Sequence, residues 1–175
     1  MTGFSAELAF AAVLVVVSIA GVVLVVRRAR RTTSDRTTSH RTAGGTPRGD
    51  RAAVALSLAA WLAGLLFLTM RPSSGKGTLL NLVPLSFQGP GAVVDAVLNV
   101  GVFIPLGLLL VAAGIRFAVA LLIGLLLSVG IELSQYLAQV GRTADVNDLL
   151  TNTTGTVLGW AVGAAIVHVR RRADS

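Results

Sequence analysis

Three clusters of acids and amides interrupt otherwise apolar sequence. Asp95 and Asn99 stand four residues apart, Glu132 and Gln135 three apart, and Arg142, Asp145, Asp148 and Asn152 follow as a spaced string. A carboxylate paired with an amide can orient a polar head group, accept a proton as a general base, or relay one, and a neighbouring arginine can hold an anion. Nothing else needed for covalent chemistry accompanies them. The chain has no cysteine, its histidines are His40 and His168, and no histidine stands beside Ser128, Ser134 or the threonines to activate a hydroxyl. No metal-ligand set and no phosphate-binding loop is present, so neither a metal nor a cofactor is expected.

The elements that must position these residues are long and apolar. Of 175 residues 54% are hydrophobic and only 13% charged, with a mean hydropathy of +0.78, which excludes a soluble globular enzyme, a coiled coil and a disordered chain. Five apolar runs stand out, at 8–26, 52–70, 96–115, 117–140 and 149–169. At ~1.5 Å per residue each crosses a hydrocarbon core of roughly 30 Å as a helix. The fold class is therefore all-α, a multi-pass membrane bundle of about five transmembrane helices. The first run lacks a basic leader and ends at Arg27, Arg28, Arg30 and Arg31, so it reads as a retained span rather than a cleaved signal.

The arginines set the expected orientation. Segment 27–51 holds eight, Arg116 lies between spans three and four, and Arg170, Arg171 and Arg172 follow span five. Arg71, Lys76 and Arg142 fall on the other side, which places the N-terminus outside and the C-terminus in the cytoplasm. The net charge of +7 is thereby a topological signal, and nucleic acid is not an expected partner. Segment 27–51, rich in Arg, Thr, Ser and Gly, is expected to be a disordered linker, either a solvated topology determinant or attracted to anionic lipid. The division is then a first span at 1–26, the linker, and a four-helix membrane domain at 52–172.

With this topology the polar residues share one layer. Asn99 lies roughly 9 Å, Glu132 roughly 13 Å, Gln135 roughly 9 Å and Asn152 roughly 10 Å below the outer surface, with Asp95 and Asp148 at it. An outward-opening polar pocket between spans three, four and five is expected. Structural alternatives stand beside it. Asn99, Gln135 and Asn152 can serve as interhelical hydrogen bonds, Asp145 as a helix cap, and Asp148 as a first-turn acid facing the dipole. Glu132 needs a cation, a proton or water at that depth, and Arg142 can reach back to a carboxylate. His168 reads as a residue that snorkels to the interface.

Packing signals complete the pattern. Gly155, Gly159 and Gly163 form a small-residue stripe on span five that must face the bundle, and Asn152 lies on roughly the same stripe. Pro105 should kink span three. Trp61 and Trp160 fall inside their spans and read as packing or lipid contacts. The apolar loop 81–91, with two prolines and two glycines, is expected to fold back as a cover over the pocket.

Three blocks together resemble the VanZ-like family of bacterial membrane proteins: NLVPLSF from Asn81, NVGVFIPLGLLL from Asn99, and SVGIELSQYLAQVGRTADVNDLLTNTTGTVLGW from Ser128 to Trp160. The resemblance spans about 52–172. Glu132 and Gln135 match the family's acid–glutamine pair, and Arg142, Asp145, Asp148, Asn152 and Gly155 match its spaced string. It implies a role in the cell envelope of a bacterium, in the plasma membrane, and it adds Asn81 to the candidate ligand-binding set of Asp95, Asn99, Glu132, Gln135, Arg142, Asp145, Asp148 and Asn152. The family's namesake is associated with resistance to teicoplanin, a glycopeptide.

Three functions follow from these readings. The first is a non-enzymatic protein that binds membrane lipids, a lipid-linked envelope ligand or a glycopeptide in the outer pocket. The second is an intramembrane enzyme acting on an envelope lipid with Glu132 or Asp148 as general base. The third is a proton-coupled transporter with Glu132 as the relay, which the apolar inner half of the spans disfavours.

Overall fold

The computed structural model describes residues 3–37, 48–69, 80, 81, 83, 84, 91–138 and 144–173. Its elements are α1 (Gly3–Thr37), α2 (Arg48–Thr69), β1 (Leu80–Asn81), α3 (Ala92–Ala113), α4 (Phe117–Ala138), β2 (Ala144–Asp145) and α5 (Val146–Ala173). All five helices are long and apolar enough to cross a membrane. The protein is an α-helical membrane bundle.

The helix ends correct one expectation. Segment 27–51 is not a linker throughout: α1 continues through its arginines to Thr37, and α2 already begins at Arg48. Hydropathy marks where a span leaves the apolar layer, not where its helix stops, and arginine is a good helix former. The two helices are also tied at this end. Arg31 lies 2.6 Å and Arg27 3.8 Å from the Asp50 carboxylate. These arginines are one turn apart on α1 and so share a face. Residues 38–47 lie outside the described residues.

α5 forms the largest helix seam of the bundle. It packs most extensively on α3, then on α4 and α1, whereas α3 and α4 meet each other little. The glycine stripe accounts for the α3–α5 seam. A β-carbon on Gly155 would collide with the Val100 carbonyl oxygen, and one on Gly159 with that of Ile104. Gly107 returns the favour from α3, where a β-carbon would strike the Thr156 carbonyl oxygen and the Trp160 amide nitrogen. Between apolar helices in lipid, such backbone approach supplies the dispersion contacts that hold them together.

α4 shows the inverse of a soluble amphipathic helix. Ala120, Gly124, Ser128, Ile131 and Gln135, spaced by three or four, form its buried stripe, while Leu122, Leu126, Leu133 and Leu137 are exposed. Small and polar groups face the bundle, and large apolar ones face where lipid would be. α3 runs through Pro105 as one continuous helix, with the proline fully buried.

α1 is integral to the core. Val17, Leu24 and Val25 join Trp61, Leu65, Phe103, Leu106 and Leu109 in one buried cluster. Trp61 is a packing residue: its ring meets Phe103 edge-on at 5.4 Å, and its Nε1 donates to the Val102 carbonyl at 2.8 Å.

Candidate functional site

The polar layer is organised by the start of α5. Asp145 occupies its N-cap, where its Oδ1 accepts from the Asn147 amide nitrogen at 2.8 Å and from Asn147 Nδ2 at 2.9 Å. A cap of this kind satisfies one of the amides that a helix start leaves open. Glu132 secures the same corner from α4: its Oε2 accepts from the Asp145 amide nitrogen at 2.9 Å. Asp145 thus fulfils the capping role open to it in sequence, with Glu132 holding the cap in place.

Two further bonds join the three helices. Asn99 of α3 donates from Nδ2 to Asp148 Oδ1 at 2.7 Å. Asn152 donates from Nδ2 to Ser128 Oγ of α4 at 3.0 Å, and both residues are buried. α5 therefore presents two adjacent stripes. Asp148, Gly155 and Gly159 face α3, while Asn152 and Thr156 face α4. The expected single stripe is split in two because α5 lies between its partners.

The Asn152 Oδ1 atom is the exception in this matched set. It is buried and has no hydrogen-bond partner among the described residues. A buried carbonyl oxygen without a donor is costly, and it points to a donor from water or a ligand at this depth.

The remaining candidates divide. Gln135 is buried but faces α2, where its Nε2 donates to the Thr69 carbonyl at 3.3 Å. Asp95 is exposed in the first turn of α3 and is a member of none of these bonds. The Asn81 backbone pairs in parallel register with Asp145, which docks β1 beside the α5 cap. The Asn81 side chain and Arg142 lie outside the described residues, as do 82 and 85–90 of the expected cover. The part of that loop that is described sits against α5, since the Val83 carbonyl accepts from Asn147 Nδ2 at 3.2 Å.

Sequence reasoning missed two members of this set, Ser128 and Asn147. Ser128 carried a signal, because it precedes Glu132 by four residues and Gln135 by seven on one helical face. Asn147 lies beside the cap residue in Asp-Val-Asn-Asp, and only the loop partner reveals its role.

A family model described as VanZ/LLP1 matches residues 54–167, well over half of the chain. The chain belongs to the VanZ/LLP1 family. The matched VanZ/LLP1 region opens within α2 and closes within α5, and it contains every polar bond just described. α1 precedes it, although that helix packs into the same core. No curated protein and no solved structure matches the chain.

Proposed function

We propose that this VanZ/LLP1-family membrane protein binds an amphiphile of the cell envelope at the carboxylate–amide end of the bundle, and that it does so without turning the ligand over. The site would open to the outside of a bacterial plasma membrane, with the arginine-rich end in the cytoplasm. The observation that carries this reading is the buried, unpartnered Oδ1 of Asn152, set beneath Asn99, Glu132, Asp145 and Asp148. Such a site is rich in acceptors. It suits a head group that brings hydroxyl or amide donors, as a lipid-linked saccharide or a glycopeptide does. The teicoplanin association implied by the family resemblance points to the same ligand chemistry. Glu132 supports binding over general-base catalysis, because one of its oxygens already holds the α5 cap.

The test uses single cysteines in a chain that has none. Asn99→Cys, Glu132→Cys and Asn152→Cys are expected to react with a membrane-impermeant thiol reagent added outside intact cells, and His168→Cys is not. Purified protein is then titrated with fluorescent teicoplanin and with a polyprenyl-linked saccharide. One of the two should bind, and Asn152→Leu should weaken it about tenfold. Failure of every outer position to label, with the chain inserted, would show a dry packing contact and overturn the reading.

A further inference from the structure

The opposite end of the bundle holds a cavity of about 640 Å³ that the outer-site reading leaves unused. Its lining comes from α1, the end of α3, the α3–α4 turn and α5. Val111, Ile115, Trp160, Ala164 and Val167 form an apolar floor, and Arg28, Arg116, His168 and Arg171 form the rim. The volume falls within the roughly 300–1,000 Å³ of small-ligand sites. No Asp or Glu is among the described residues that line it.

The distribution of charge along α1 is selective. Arg27 and Arg31 turn to Asp50, whereas Arg28, one position on, turns to the end of α3. There it lies over Gly114, which adopts a left-handed φ of 84°. A β-carbon at Gly114 would come within 2.6 Å of an Arg28 guanidinium nitrogen, which places that guanidinium against the turn, and the left-handed backbone is what calls for glycine.

Several backbone carbonyls at this turn accept hydrogen bonds from the protein itself. The Val111 and Leu110 carbonyls accept from the Gly114 and Ile115 amides, at 2.8 and 2.9 Å. The Ile115 carbonyl accepts from Trp160 Nε1 at 3.0 Å, and that of Arg116 from the Ala120 amide at 2.9 Å. Arg28 and Arg116 bring two guanidinium groups to this turn, and a planar guanidinium matches phosphate oxygens two at a time.

From this arrangement we infer that the cavity is a binding site for a phosphate-bearing anion, the phosphodiester of an anionic phospholipid, seated on Arg28 and Arg116 with its apolar portion along Trp160 and Val167. Basic pockets between transmembrane helices bind lipid head groups in this way. The apolar floor distinguishes the lipid from free phosphate, which would use the rim alone. This site is independent of the outer one and stands or falls without it.

The test uses the full chain, purified and delipidated in a neutral detergent. It is exposed to an equal mixture of phosphatidylglycerol and phosphatidylcholine, and bound lipid is read by native mass spectrometry. Wild type is expected to retain phosphatidylglycerol about tenfold over phosphatidylcholine. Arg28→Gln with Arg116→Gln should abolish that preference, while Arg30→Gln, outside the cavity, should keep it. Should the double variant not fold, as judged by circular dichroism and gel filtration, Arg116→Gln at the exposed turn is read alone and should reduce the preference. Inorganic phosphate at millimolar concentration should not displace the lipid; displacement would assign the site to free phosphate and overturn the lipid assignment. Equal retention of phosphatidylglycerol by wild type and a folded rim variant would overturn the site altogether.

Discussion

The two ends of this bundle use polar residues in opposite ways. At the carboxylate–amide end, acids and amides from three helices pair mainly with one another and with the α5 cap. At the arginine end, Arg27 and Arg31 share the Asp50 carboxylate, and Arg28, Arg116 and His168 stand around an apolar hollow. The difference follows from depth and side-chain length. Short acids and amides inside a span must be satisfied by neighbours in the protein. Arginines at the helix ends extend to the interface, so their partners need not come from the same chain.

The change that should damage both ends at once lies between them. Gly159→Val sets a branched side chain against the Ile104 carbonyl and should cost about 3 kcal/mol or more, read as loss of folded protein in a detergent unfolding titration. Next comes the carboxylate end. Asn99→Ala removes the amide that donates to Asp148 Oδ1 and should cost about 2 kcal/mol in the same titration. At the arginine end, Trp160→Phe keeps the ring but loses the donor to the Ile115 carbonyl, and should cost about 1 kcal/mol while loosening the α3–α4 turn to hydrogen exchange. The smallest effect is expected for Asp50→Asn. Its arginine partners are 59% and 44% exposed, so the loss should stay below about 1 kcal/mol and fade as salt is added. A larger cost at Asp50 than at Asn99 would reverse the comparison.

Much of this architecture is legible in the sequence. Apolar run lengths locate the five helices because lipid thickness leaves few alternatives, and Gly155, Gly159 and Gly163 announce the seam because only small residues permit such approach. Asn99, Glu132 and Asn152 stand out in the sequence by their cost in an apolar layer, and Asp145 and Asp148 by their place at the start of span five. The arginine cavity was not found, and the reason is physical. Sequence counts charges by segment, and a count does not separate Arg27 and Arg31, which turn to Asp50, from Arg28, which turns to Gly114. That partition depends on how α1 is rotated against α2 and α3, a property of packing rather than of composition. Hydropathy likewise stopped the first helix at its first charges, although arginine carries a helix well beyond the apolar layer.

The central place of α5 has a consequence for how the molecule is made. Synthesis runs from the N-terminus, so α3 and α4 reach the membrane before the helix that satisfies Asn99, Ser128 and Glu132. Until α5 arrives, those groups have to be held by water, by one another or by the insertion machinery. The last helix delivered carries the largest seam of the bundle, so a ribosome pausing within residues 146–173 would leave α3 and α4, which meet each other little, without the helix that joins them.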